Sequence, residues 1–272
     1  MSEQAASVDL DLALAAAKFA AQAGGALIRT AGIGFQHPEI KGAGDYVTAV
    51  DRQSEALVVR ILSAAFPGLA VLGEEGGGEE IRTGWVVDPL DGTTNFIRGL
   101  PLVGVSIALL VEGLPVVGSV HAPFLGWTYS AQVGKGAFDE RGQCLRVRQG
   151  EPRRAVVSTG FPFKTKERMA RQLRALGLAL QSVEDGRGTG AASLDLALTA
   201  AGVFDGYFEL GLRVWDLAAG ALLVTEAGGV VSDWEGGQTQ LETGDIVAGA
   251  AQVHAALLAA TNIDSGPSPG PA

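Results

Sequence analysis

The stretch Trp85–Phe96, "WVVDPLDGTTNF", begins as a buried strand and ends in a way no strand requires. Val86 and Val87 are β-branched and follow a tryptophan, which suits a packed, pleated surface. Asp88 and Asp91 then stand three residues apart around Pro89, followed by Gly92 and two threonines. Pro89 biases Asp88 toward extended geometry, so the pair does not share a helical turn comfortably. At a strand end this bend can turn both carboxylates toward one point, with the Leu90 carbonyl able to face the same way. Such hard oxygen ligands suit Mg²⁺ or Mn²⁺. Gly92 lets backbone pass close to a ligand, and the Gly92 and Thr93 amides could meet a phosphate if a short helix begins there. The plain alternative is an ordinary acidic turn, since Asp, Pro and Gly are standard turn residues. The apolar strand leading in and the hydroxyls leading out favour a site.

Two further acidic positions extend the cluster. "VLGEEGGGEE" places Glu74 and Glu75 directly after a short apolar strand, whereas Glu79 and Glu80 read as solvated loop. "ELGLRVWDLAAG" places Asp216 where a helix starts, beside a Trp215 expected to be buried. Capping that helix and holding a metal are compatible roles for Asp216.

The rest of the composition removes competing chemistries. The chain has 272 residues, 47% of them hydrophobic and 18% charged, which is globular rather than disordered composition. Its formal net charge is −10, and its Lys and Arg are scattered, which argues against a nucleic-acid partner. An anionic substrate would meet long-range repulsion unless cations reversed the local sign. The single cysteine, Cys144, excludes an internal disulfide and reads as a small hydrophobe. His37, His121 and His254 lack metal-ligand spacing and support no triad. No apolar run reaches a membrane span and the first residues are acidic, so the expected location is the cytoplasm.

Residues 9–31 have helical periodicity, weakened only by Gly24 and Gly25. "IKGAGDYV" reads as a glycine-rich loop before a helix from about Thr48, and "VGVSIALLVEG" with "LPVVGSVHAP" as a hairpin. From "AVVSTGFPF" onward strands and helices alternate, the signature of α/β layering. The expected organisation is an N-terminal α+β subdomain over 9–150 carrying most of the acidic ligands, and a C-terminal α/β subdomain over 151–261. Disordered tails are expected at 1–8 and 262–272.

"GEE", "DPLDGTTNF" and "WDLAAGALLVTEAGG", in this order, resemble the inositol monophosphatase family of Mg²⁺-dependent, Li⁺-sensitive phosphatases. "GDYVTAVDRQSE", "STGFPF" and "FDGYFELG" extend the resemblance over roughly residues 9–260. It implies an αβαβα sandwich of the inositol monophosphatase/fructose-1,6-bisphosphatase type, commonly a homodimer. It implies metal binding by Glu74, Asp88, the Leu90 carbonyl, Asp91 and Asp216, with Asp91 bridging two ions. Roughly two or three Mg²⁺ per subunit are expected, Mn²⁺ being a substitute. Thr93 and Glu74 would position and deprotonate a water, Asp51 orienting Thr93. Gly92 and Thr93 would hold the phosphate, Glu209 would accept from substrate hydroxyls, and Gly190, Ala191, Ala192 and Asp216 would line the same pocket.

The implied activity is hydrolysis of inositol monophosphate, a small phosphorylated polyol. Fructose-1,6-bisphosphate, 3′-phosphoadenosine phosphate, histidinol phosphate and NADP are the alternatives, and a regulatory binding protein is the reading from another class. Ala191 stands where the family usually has Ser or Thr, and the loop from Glu75 to Trp85 is short and glycine-rich.

Overall fold

The computed structural model describes residues 8–34, 38–42, 45–77 and 81–262. His37, Glu79, Glu80 and the expected tails apart from Val8 and Asn262 lie outside the described residues. In chain order the elements are α1 (Leu10–Ala31), β1 (Glu39–Gly42), β2 (Asp45–Val47), α2 (Ala49–Ala65), β3 (Val71–Gly73), β4 (Gly84–Asp91) and α3 (Thr93–Arg98). There follow β5 (Gly104–Val111), β6 (Leu114–Ala122), β7 (Trp127–Gln132), β8 (Gly136–Phe138), β9 (Val156–Thr159), α4 (Met169–Ser182) and β10 (Asp185–Arg187). The chain continues through α5 (Ala192–Ala200), β11 (Gly206–Glu209), α6 (Val214–Glu226), β12 (Val230–Ser232), α7 (Gln240–Thr243), β13 (Ile246–Gly249) and α8 (Ala251–Thr261).

Two sheets organise these elements. A six-stranded sheet runs β3-β4-β5-β6-β7-β8, with only the β3–β4 pair parallel. A five-stranded sheet runs β10-β9-β11-β13-β12, parallel across β10, β9 and β11 and antiparallel at β13. Helices α1 and α2 cover the outer face of the first sheet, where Ala13, Ala17, Ile28, Val58 and Leu62 pack on Trp85, Val87, Ile107 and Leu109. Full burial of side chains as large as the last four stabilises by about 1.5–3 kcal/mol each.

Helices α5 and α6 are apolar nearly all round because both sheets cover them. Leu194, Leu196, Leu217 and Leu223 join Val86, Ala108 and Val120 of one sheet to Tyr207, Ile246 and Ala248 of the other. Ala175 and Ala179 of α4, with Val253 and Leu257 of α8, close the far face on Val157, Phe208 and Val247. The result is the expected αβαβα sandwich.

Two local readings change. The glycine-rich "IKGAGDYV" contains an antiparallel pair, β1 with β2, whose register shifts between Ile40 and Gly42. Gly24 and Gly25 are positions of close approach: an added Cβ would lie 2.9 Å from Ser54 Oγ at the first and 2.3 Å from His121 Cδ2 at the second. These glycines let α1 settle onto α2 and β6. His121 belongs to that interface and pairs with Thr128 Oγ1 at 2.9 Å, while His254 pairs with Ser232 Oγ at 2.8 Å. Neither lines the acidic cleft.

Candidate active site

Strand β4 carries the first two acids, and its pairing with β5 decides where they point. Asp88 lies opposite Ser106 and Asp91 opposite Gly104, so three steps along β4 match two along β5. In a regular strand residues three apart face opposite sides. The extra residue is a bulge, and it restores the parity so that Asp88 and Asp91 share the face toward α5 and α6. Pro89, which cannot donate to the ladder, sits inside this bulge, and its carbonyl accepts Ser54 Oγ at 2.9 Å. The Leu90 side chain goes into the α1/α2 core.

Gly92 follows in a left-handed conformation, φ 89° and ψ 37°, and α3 begins at the next residue. An added Cβ there would stand 3.0 Å from the Leu102 carbonyl and 3.3 Å from Ala191 Cβ. Thr93 Oγ1 lies 3.0 Å from Asp51 Oδ1 and 3.2 Å from the Leu90 carbonyl. Asp51, 1% exposed, is the third residue of α2 and also accepts the Thr48 amide at 2.9 Å and the Thr48 hydroxyl. Burial raises the Asp51 carboxyl above its ordinary value against the pull of these donors. Asp51 is thus both half of the α2 cap and the support of Thr93. A hydroxyl acting on a water should make Thr93→Val slow turnover about a hundredfold, with Thr93→Ser retaining most of it in single-turnover kinetics.

Glu74 and Asp216 close the acidic set from other elements. Gly73 pairs with Val87 in parallel register, so Glu74 emerges beside Asp88, and its amide donates to the Val87 carbonyl at 3.2 Å. Asp216 is the third residue of α6, and its Oδ2 accepts the Arg213 amide at 2.7 Å, so the expected cap is real. Trp215, expected to be buried, is only partly so, and its carbonyl accepts Ser106 Oγ at 3.0 Å. Each acid is held by a protein donor: Glu74 Oε1 by Lys164 Nζ at 3.0 Å, Asp88 Oδ1 by the Leu90 amide at 3.0 Å, and Asp91 Oδ2 by the Ser193 amide and hydroxyl at 2.8 and 2.6 Å.

Burial, with the charge of neighbouring acids, pushes Asp88 strongly upward, Asp91 to about 6 and Asp216 to about 7. Among the described residues they are not drawn into a closed ligand set, as repelling acids held by local donors would not be. Four carboxylates and a carbonyl lining one cleft, all of them oxygen donors, fit a hard divalent cation.

The cleft encloses about 440 Å³ and brings every expected site residue to its wall except Asp51, which acts from behind Thr93. Gly190, Ala191 and Ala192 form one side. Glu209 forms another, holding the Tyr207 hydroxyl, and burial pushes its carboxyl to about 8. Sequence reasoning missed Tyr46, Phe161, Phe163, Lys164, Asp195 and Arg213, which line the same cleft. "GFPFK" after β9 was the available signal, a lysine following an aromatic turn.

A layered αβαβα chain with acids and a supported threonine around one cleft defines a class of metal-dependent phosphatase folds. The inositol monophosphatase family profile matches residues 9–265, and the chain belongs to that family. The Escherichia coli (strain K12) protein named Nus factor SuhB is 43% identical over 226 residues, covering 80% of this chain and 83% of its own length. An inositol-1-monophosphatase from Mesorhizobium japonicum is 44% identical over 228 residues, 81% of this chain and 84% of its own. The extragenic suppressor protein SuhB of Bartonella henselae superposes with a TM-score of 0.84 at 36% identity, covering 90% of this chain and 96% of that one. No helix among the described residues is long and apolar enough to cross a membrane.

Proposed function

We propose that this chain is a Mg²⁺-dependent phosphomonoesterase that hydrolyses inositol monophosphate, working as a cytoplasmic homodimer without a nucleic-acid partner. The observation that carries the reading is the convergence of Glu74, Asp88, Leu90, Asp91 and Asp216 with Thr93 and Glu209 on one cleft. Divalent cations held by the first five residues would neutralise phosphoryl oxygens, acidify water and stabilise the leaving alkoxide.

The chain's own groups do the rest. Thr93 commits its proton to Asp51, so its oxygen presents lone pairs to a water in the cleft. Glu74 is the proton acceptor for that water, and its bond to Lys164 yields as the site fills. The amides of Gly92 and Thr93 receive the phosphate, and the absence of a Cβ at Gly92 keeps that approach open. Glu209, uncharged below about pH 8, can both donate to and accept from a substrate hydroxyl.

Losing that contact should cost about 1–1.5 kcal/mol, roughly tenfold in KM. Glu209→Ala is therefore expected to raise KM about tenfold for inositol 1-phosphate and little for an aryl phosphate. Glu209→Gln, which keeps a neutral hydrogen-bonding group, should lie between. Equal shifts on both substrates would remove Glu209 from hydroxyl recognition.

Phosphate release from inositol 1-phosphate, fructose-1,6-bisphosphate, adenosine 3′,5′-bisphosphate, histidinol phosphate and NADP tests the whole reading, each with Mg²⁺, with EDTA, and with Mg²⁺ plus Li⁺. Inositol 1-phosphate as the best substrate, lost in EDTA and inhibited by Li⁺, is the expected result. A better second substrate would keep the chemistry and change the alcohol. No release from any of them would favour the second reading, a binding role, for which the Nus factor name of the Escherichia coli relative is the supporting observation.

A further inference from the structure

We propose that Ser193 is the positioning residue of the acidic centre: its amide and hydroxyl together take one oxygen of Asp91 and leave the other for a cation. The inference rests on the metal-dependent reading above. Ser193 is fully buried, and both of its donors converge on Asp91 Oδ2, Oγ at 2.6 Å and N at 2.8 Å. A carboxylate oxygen has about two lone-pair directions, so two donors fill Oδ2 and Oδ1 is what remains for a hard cation.

The surroundings are built for that contact. Gly104, the β5 residue opposite Asp91, admits the hydroxyl, since a Cβ there would lie 2.9 Å from Ser193 Oγ. The turn leading into Ser193 is pinned on both sides. Asn95 Nδ2 donates to the carbonyls of Leu102 and Thr189 at 2.7 and 2.8 Å, which ties the turn to the helix carrying Thr93. The Thr189 hydroxyl lies 2.8 Å from Asp195 Oδ2 and accepts the Ala191 amide at 3.2 Å. Ala191, where the family usually has a hydroxyl, faces Gly92, while the hydroxyl two residues on is turned inward to Asp91. In this chain the Ser193 hydroxyl therefore serves the ligand rather than the substrate.

Partners that orient a metal ligand from behind typically contribute 10–100-fold in metal affinity. Mn²⁺ titration calorimetry on the full chain, paired with turnover against Mg²⁺ concentration, tests the assignment. Ser193→Ala should weaken Mn²⁺ binding by about tenfold or more. Ser193→Cys, a weaker donor of similar shape, should fall between, and the kcat of both should recover at high Mg²⁺. A residue that only packs would lower the melting temperature without moving the Mn²⁺ isotherm, and added Mg²⁺ would not rescue it. Wild-type affinity in both variants, with Mn²⁺ bound by the wild type, overturns the role of Ser193 alone. No Mn²⁺ binding by the wild type overturns the metal-centre reading beneath it. Should the alanine variant fail to fold, the cysteine variant still decides.

Discussion

Asp91→Asn is expected to abolish phosphate release, on the order of a thousandfold or more, while leaving the fold intact. Asparagine keeps the volume, and its carbonyl oxygen can still accept the Ser193 amide and hydroxyl that now hold Oδ2 at 2.8 and 2.6 Å. What it removes is the charge and Oδ1, the oxygen left for a cation. The bulge that turns Asp91 toward α5 and α6 is set by the pairing of β4 with β5, so the backbone has no reason to change. The variant also relieves repulsion, because Asp88 and Asp216 are both raised by the Asp91 charge. Its melting temperature in EDTA at pH 8 should therefore equal or exceed that of the wild type. Calorimetry and a phosphate-release assay check the two halves together. Near-normal Mg²⁺-dependent turnover in Asp91→Asn would falsify the assignment of Asp91 as a metal ligand.

The second large effect is on stability against pH. In EDTA the protein should lose stability as pH rises from about 4 to about 8, which is opposite to ordinary acid denaturation. Asp91 is pushed up to about 6, Asp195 and Asp216 to about 7, and Glu209 to about 8, in each case first by burial. A folded pKa above the unfolded one means that the native state binds protons more tightly. The resulting stability is complete below the unfolded values near 4 and is lost as pH passes through 6, 7 and 8. Saturating Mg²⁺ would replace the protons of Asp91 and Asp216 with metal charge, so it should raise the melting temperature far more at pH 8 than at pH 5. Thermal scans at both pH values, with EDTA and with Mg²⁺, read the difference directly. A Mg²⁺ stabilisation independent of pH would show that the cation does not settle on these acids.

Much of the layering was legible along the chain. Helices α5 and α6 are apolar over most of their surface, and a place between two sheets covers such a surface. The acids announced themselves by context: Asp88 and Asp91 at a strand end, Glu74 after a short strand, Asp216 at a helix start. The supporting residues did not. Ser193 and Lys164 lie 102 and 90 residues from the acids they hold, and Ser193, Asp195 and Thr199 read alike as polar residues in a mostly apolar helix; only the lysine of "GFPFK" carried a local signal. The β1–β2 pair was hidden because its glycine-rich sequence lacks a strand's alternation.

By itself the sequence determined most of the element types, the layered class and the chemistry of the ligands, because periodicity and side-chain type are local properties. Only the tertiary structure decided that Asp88 and Asp91 face the same way, since that depends on one extra residue in the pairing with β5. It alone decided which donor holds which carboxylate oxygen, because those bonds join segments that packing, not sequence proximity, brings within 3 Å.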